Sequence, residues 1–310
     1  MTRDENTPDL VRRAAARLSG ATARKPAEIE ETLVRTIEPP AALASTAAVL
    51  RDAEPSPARG TPATRHVNVS PTSLAANSIS LPSAGFHRTV EEFRVIKRQI
   101  LANASRTPMG PGSDVNRLLM ITSARPGEGK TYTAINLALS LAFERDLKVL
   151  LVDADVYRQS MLSYLGITAE AGWIDLLADP SLTFSDVLLH TNIPNLSILP
   201  AGKAHGEVPE LMSSKKMAHM VMDMARRYPD RFIIFDTLPC LVSSEPSILA
   251  GMVGQTIFVV AAHETSRDQI ESSLRLINAC PSVSLILNKA ENAMTEQFGN
   301  YGYKYGNYQK

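Results

Sequence analysis

Leu118-Leu119-Met120-Ile121-Thr122-Ser123-Ala124-Arg125-Pro126-Gly127-Glu128-Gly129-Lys130-Thr131 decides the fold. An apolar run that reads as a buried strand empties into a Gly/Pro turn, and a Lys-Thr pair opens the amphipathic stretch Tyr132-Thr133-Ala134-Ile135-Asn136-Leu137-Ala138-Leu139. Strand, glycine turn and helix in that order are what a phosphate-binding loop requires. Backbone N–H groups of a tight loop, a helix N-terminus and one ammonium together neutralise a polyphosphate. Gly127 and Gly129 allow close backbone approach, Lys130 reaches the terminal phosphates, and Thr131 offers a hydroxyl to Mg²⁺. The general pattern G-x-x-x-x-G-K-[ST] has Ala124 at its first position here.

Working outward, a second apolar strand, Lys148-Val149-Leu150-Leu151-Val152-Asp153, ends in Asp153-Ala154-Asp155, and Phe232-Ile233-Ile234-Phe235-Asp236 ends in a third carboxylate. Strands are also expected at Leu196 to Pro200, Thr256 to Val260 and Val283 to Asn288. Helices are expected at Trp173 to Ala178, Asp186 to His190, Ser213 to Arg227, Glu245 to Ala250 and Ser266 to Ala279, with a loop from Gly202 to Pro209. Strands alternating with helices imply right-handed crossovers and a mostly parallel, doubly wound α/β sheet with helices on both faces. In such sheets ligands bind at the carboxyl ends of the strands, where Asp153, Asp155 and Asp236 fall. An Asp at a strand-to-helix junction also serves as a helix N-cap; three of them in a chain with a phosphate loop favour the chemical role.

Phosphoryl transfer is mostly positioning and charge neutralisation. Lys130 and the loop residues Arg125, Pro126, Gly127, Glu128, Gly129 and Thr131 supply the phosphate site. Thr131, with Asp155 and Asp236 directly or through water, supplies the Mg²⁺ site. Asp153 is the candidate for accepting or orienting the attacking proton, a role the sequence does not separate from that of Asp155. Asn288, after the last strand, is a candidate adenine contact, although Asn is also a common turn former.

The chain has 310 residues, enough for one or two domains. Lys+Arg and Asp+Glu both total 32, which argues against a broad nucleic-acid-binding surface. Cys240 and Cys280 lie far apart without metal spacing and read as reduced core residues. The start lacks an apolar leader and no stretch is long and apolar enough to cross a bilayer, so a cytoplasmic protein is expected, peripheral at the inner membrane only through a partner. Residues 1–85, rich in Ala, Pro, Ser and Thr, are expected to be low-complexity and disordered, with transient helical patterns around Asp9 to Leu18 and Ala27 to Ile37. Residues 86–290 form the nucleotide-binding domain, entered through a helix whose Phe93, Ile96, Ile100 and Leu101 share one face, while Glu91, Arg94 and Lys97 share another. Residues 291–310 form a flexible tail with Tyr301, Tyr303, Tyr305 and Tyr308. Its glycines and missing apolar pattern preclude a buried element of its own.

The stretches Ser123 to Thr131, Leu151 to Asp155 and Ile234-Phe235-Asp236-Thr237-Leu238-Pro239 resemble the Walker A, A′ and B motifs of bacterial tyrosine kinases (BY-kinases), in the deviant-Walker branch of P-loop proteins. Glu91-x-x-Arg94-x-x-Lys97 resembles that family's Glu-x-x-Arg-x-x-Arg oligomerisation motif. The Tyr-rich end resembles its autophosphorylated tail, and the combination is most similar to stand-alone autokinases linked to exosortase and exopolysaccharide gene clusters. The resemblance implies an ATP- and Mg²⁺-dependent tyrosine kinase that phosphorylates Tyr301, Tyr303, Tyr305 and Tyr308 in trans within a homo-oligomer and so regulates exopolysaccharide synthesis. It also implies a separate membrane activator of the chain-length-determinant type, a tyrosine phosphatase as counterpart, and no nucleic-acid partner.

Four positions depart from the family pattern. Tyr157 stands where the A′ motif has Arg, Leu238 at the first Pro of the usual Asp-Ser-Pro-Pro, Glu245 at a usual Asp, and Lys97 at a usual Arg. Two other functions compete. A positioning or assembly ATPase of the deviant-Walker kind has a signature Lys where Arg125 stands and Gly where Pro126 stands. A nucleotide-binding scaffold that has lost transfer is made conceivable by Tyr157. Pro126 and the tyrosine tail favour the kinase.

Overall fold

The computed structural model describes residues 65–83, 88–106, 113–203, 208–228 and 230–290. The expected helices around Asp9 to Leu18 and Ala27 to Ile37, and the tyrosine tail, lie outside the described residues.

All six sequence-predicted strands form, and they make the parallel centre of an eight-stranded sheet. In chain order the strands are β1 (Arg65–Val67), β2 (Leu118–Ser123), β3 (Lys148–Asp153), β4 (Leu189–Thr191), β5 (Leu196–Leu199), β6 (Arg231–Asp236), β7 (Gln255–Ala261) and β8 (Val283–Asn288). Their spatial order is β1-β4-β5-β3-β6-β2-β7-β8, with only the β4–β5 pairing antiparallel. The pleat splits each central strand between two cores. Leu118, Met120, Leu150, Val152, Ile233 and Phe235 point into one; Leu119, Ile121, Val149, Leu151, Phe232 and Ile234 point into the other.

The second core is closed by α1 (Pro71–Ala76), α2 (Arg88–Arg106), α3 (Lys130–Ala142) and α4 (Ser160–Leu165). The first is closed by α5 (Trp173–Ala178), α6 (Phe184–Val187), α7 (Val208–Met212), α8 (Lys215–Arg227), α9 (Glu245–Ala250) and α10 (Arg267–Leu276). Trp173 and the methionines Met217 and Met224 are core residues. Both cysteines are buried and free. Among the described residues no helix is long and apolar enough to cross a membrane.

Three expectations need correction. The proposed boundary at residue 85 falls too late, because Arg65 to Ile79 already belongs to the folded unit. β1 pairs with β4, and Val69, Leu74 and Ile79 are buried. Ser70, as N-cap, accepts a hydrogen bond from the Ser73 N–H at 3.2 Å, with Pro71 opening α1. Composition averaged over 85 residues hides these few apolar side chains. The expected helix Asp186 to His190 ends at Val187, and Leu189–Thr191 is a strand. Here Asp186 closes a box on the Thr183 N–H at 2.7 Å, so the carboxylate marks the helix start. The expected loop Gly202 to Pro209 gives way to α7 at Val208, whose side chain is fully buried.

Candidate active site

Register brings the acidic groups together. Asp153 pairs with Asp236 across β3 and β6, and Asp236 in turn pairs with Ile121 on β2. Both aspartates continue the alternation that feeds the α3 side of the sheet, so their carboxylates meet Lys130 at the start of α3. Lys130 Nζ donates to Asp155 Oδ2 at 2.7 Å and stands 3.9 Å from Asp236 Oδ1. All four charged side chains are almost wholly buried.

This cluster is electrostatically unfinished. Neither oxygen of Asp236, nor Oδ2 of Asp153, has a hydrogen-bond partner. Burial pushes the Asp236 carboxyl up to about 6, although the Lys130 charge and the Thr131 hydroxyl pull the other way. Burial, then the charges of Asp236 and Asp155, holds Asp153 well above the usual carboxylate range. For Lys130, burial alone acts to lower the pKa, but the surrounding carboxylates, Asp236 foremost, outweigh it and the ammonium is raised. Buried carboxylate oxygens without hydrogen-bond partners destabilise a fold, which makes this cluster a candidate binding site.

The loop facing them is finished by its own bonds. Ser123 Oγ donates to the Arg125 carbonyl at 2.9 Å. Glu128 is buried, with its carboxylate turned into the protein. It accepts from the Arg125 N–H at 2.8 Å and from Thr265 Oγ1 at 2.5 Å. Asn288 Nδ2 donates to the Glu128 carbonyl at 2.9 Å and leaves no room beside Gly129, where an added Cβ would lie 2.0 Å from that nitrogen. Gly129 also has φ +96°, which only glycine adopts without strain. As N-cap of α3 it supplies no side-chain hydrogen bond, so the first N–H groups of the helix are left for an anion.

The structure therefore brings together Lys130, Thr131, Asp153, Asp155 and Asp236 beside the loop. Arg125, Pro126 and Gly127 form its exposed crest. Glu128 and Asn288 make loop-shaping contacts in it. Sequence reasoning missed Thr265, which no local pattern flags, and Ser160, whose Oγ lies 3.5 Å from Thr131 Oγ1. The core residue Trp173 also belongs to the site, because its Nε1–H donates to the Asp153 carbonyl at 2.8 Å and fixes the turn between the two acidic residues.

Two departures from the family pattern meet. The Tyr157 hydroxyl donates to Glu245 Oε1 at 3.4 Å. Glu245 is buried and Tyr157 is 53% exposed. A neutral hydroxyl-carboxylate contact thus occupies the place where the pattern has an Arg and an Asp. On α2, Glu91 and Arg94 form an ion pair on the surface. Lys97 is turned inward, 12% exposed, with Nζ 2.5 Å from Glu144 Oε1 and donating to the Ser140 carbonyl at 3.3 Å.

Residues 116–291 match the family model described as an AAA domain. The chain is 30% identical over 188 residues to the tyrosine-protein kinase YwqD of Bacillus subtilis, covering 60% of this chain and 78% of that one. It is 30% identical over 204 residues to the tyrosine-protein kinase CpsD of Streptococcus agalactiae, covering 64% and 88%. The chain belongs to the bacterial tyrosine kinase family. Its enzyme class is accordingly protein-tyrosine kinase. The crystal structure of the VpsO kinase domain superposes with TM-score 0.52 at 31% identity, covering 64% of this chain and 98% of that domain. For BY-kinases as for other P-loop proteins, nucleotide binding follows from the fold.

Among the described residues no group of three His, Cys, Asp or Glu side chains closes on one point as a metal cage. Mg²⁺ asks for none, because it keeps several waters and takes one or two protein oxygens together with phosphate. The orphaned oxygens of Asp236 beside the Thr131 hydroxyl fit that demand.

Proposed function

We propose that the chain is an ATP-dependent tyrosine autokinase that transfers the γ-phosphoryl group to Tyr301, Tyr303, Tyr305 and Tyr308 of a neighbouring copy. The observation that carries this reading is the buried Lys130–Asp155–Asp236–Asp153 cluster with unsatisfied carboxylate oxygens at the mouth of an anion-ready helix. Lys130 exchanges its carboxylate partner for phosphate when ATP binds and neutralises charge on the transferring group. Thr131, Asp236 and Asp155 would hold Mg²⁺, which would supply further charge neutralisation. The loop, held by Glu128 and Asn288, keeps its N–H groups aimed at the phosphates without a reorganisation cost at the moment of reaction.

In the transfer, the phenol oxygen forms a bond to the γ-phosphorus, the bond from that phosphorus to ADP breaks, and the phenolic proton passes to a carboxylate. In this reading Asp153 accepts that proton, its raised pKa making it a better acceptor than an ordinary Asp. Each phosphate adds close to two negative charges to the tail, so successive modification weakens its docking. Oligomer formation is assigned to α2 through Glu91 and Arg94, with Lys97 contributing by fixing α2 to its own domain. Regulation of exopolysaccharide synthesis, a separate membrane activator and an opposing phosphatase complete the reading, on the resemblance of the motifs.

The test mixes two full-length variants with Mg²⁺ and ATP: Lys130→Met as acceptor, and a chain with all four tail tyrosines changed to Phe as kinase. Phosphate on the tail of the Lys130→Met chain is the expected result. An unlabelled acceptor, with wild-type chains labelling normally, overturns transfer in trans.

A further inference from the structure

The loop that follows β6 carries apolar side chains in the wrong place for stability. Leu241 is 41% exposed and Val242 59% exposed, whereas Leu238 in the same loop is buried. The backbone fixes where they stand. The Cys240 N–H donates to the Ser123 carbonyl at 2.8 Å and the Leu241 N–H to the Ala124 carbonyl at 3.2 Å, so this segment runs directly alongside the start of the phosphate loop. Three residues beyond Val242, the buried Glu245 holds the hydroxyl of Tyr157, whose half-exposed ring follows Asp155 by two residues. An exposed aromatic ring, two residues beyond Asp155, and two exposed aliphatic side chains, on the segment beside the phosphate loop, therefore flank the site along the chain.

We propose that Leu241, Val242 and the ring of Tyr157 form the ledge on which the acceptor tyrosine ring lies, and that its occupant is the tail segment Tyr301–Lys310. This rests on the kinase reading for the identity of the reaction, but it names residues that reading does not use. Three features select the occupant. A tyrosine ring buries a large apolar surface, about 150–250 Å² when enclosed, and its hydroxyl stays wet or bonded, which suits a ledge that is apolar along its length and ends at a phosphate site. The last described residues lie beside the phosphate loop, where Asn288 at the end of β8 touches it. Ten residues, 291–300, precede Tyr301, and at about 3.5 Å per extended residue they span up to roughly 35 Å, the length available to carry Tyr301 to the ledge of a neighbouring copy. Charge is complementary as well. The segment Tyr301–Lys310 contains Lys304 and Lys310 and no acid, while Glu245 and Glu210 both bear electrostatically on the Tyr157 hydroxyl at the ledge.

The experiment uses the full chain and a synthetic peptide of residues 296–310 in two forms: native, as phosphoacceptor, and with its four tyrosines replaced by Phe, as an unreactive ring ligand followed by fluorescence anisotropy. Leu241→Ser combined with Val242→Ser is expected to raise the peptide KM and the Kd of the Phe peptide about tenfold or more, with the KM for ATP moving less than twofold. Val242→Ile is expected to restore most of the binding when paired with native Leu241. Higher ionic strength is expected to weaken the peptide and leave the ratio between wild type and the double variant unchanged. Peptide binding that is unaltered in the double variant, or a KM for ATP that rises in parallel, overturns the ledge. Phe-peptide binding that depends on Leu241 and Val242 without any transfer to the native peptide leaves the ledge standing and overturns the kinase reading instead.

Discussion

The two halves of the site contrast sharply. The loop half is complete without a ligand: the Glu128 carboxylate has two donors, the Glu128 carbonyl has Asn288, and the Arg125 carbonyl has Ser123. The acidic half, built on the ends of β3 and β6 a few ångströms away, holds three buried carboxylates around one ammonium and leaves carboxylate oxygens of Asp153 and Asp236 without partners. The loop is a rigid template and the acidic cluster is a receptor. Rigidity is affordable where backbone N–H groups must already point at phosphate, whereas electrostatic incompleteness is what gives a cation and a polyanion their differential affinity for this pocket.

Substitutions separate the halves, and the largest effect belongs to Lys130. Lys130→Met is expected to lower phosphotransfer about a thousandfold. It also breaks a buried ion pair, which costs about 3 kcal/mol of stability, read by urea unfolding of the nucleotide-free chain. Full stability in that variant would mean the pair is already screened and the acidic half is less enclosed than described.

Asp236→Asn comes next and has opposite signs on its two readouts. Transfer falls by roughly a hundredfold or more, while the nucleotide-free protein gains stability. The folded carboxyl titrates at about 6, above its ordinary 3.8. The native state therefore holds the proton more tightly, and wild-type stability declines as pH rises from about 4 through 6 and is flat above. The variant lacks that loss, so its advantage is roughly 3 kcal/mol at pH 7.5 and vanishes toward pH 4. A pH-independent difference, or a loss of stability at pH 7.5, contradicts the assignment of Asp236 as an unsatisfied group.

Thr265→Val tests the other half. It strips one donor from a buried carboxylate, at about 1–3 kcal/mol, and is expected to raise the KM for ATP about tenfold with a smaller change in kcat. An equal fall in kcat alone would place Thr265 in the chemistry instead of the template. Tyr157→Phe is the smallest. It removes one long, half-exposed contact to Glu245, so transfer is expected to stay within about twofold, and a tenfold loss would show that the hydroxyl takes part in transfer.

Much of this contrast was legible before any coordinates. The buried strands announce themselves as apolar runs, and the Gly-Glu-Gly-Lys-Thr turn between strand and helix fixes the loop. Asp153, Asp155 and Asp236 follow from their positions at strand ends, because the parallel sheet puts all those ends on one edge. What was not legible depends on pairings distant in sequence. Thr265 meets Glu128 across 137 residues, and Asn288 reaches the same residue across 160; nothing local in either sequence foretells it. The short strands β1 and β4 stabilise each other through pairing, and each alone is too brief to leave a periodic signal. Tyr157 and Glu245 looked like two separate departures until the fold placed one against the other.

The central claim is that this pocket delivers phosphate to tyrosine. The most direct measurement is peptide mass spectrometry of the purified full chain after incubation with Mg²⁺ and ATP, beside the Lys130→Met variant. Phosphate on Tyr301, Tyr303, Tyr305 or Tyr308 in the wild type, absent from the variant, is the predicted result. Hydrolysis of ATP with every tail tyrosine unmodified would contradict it.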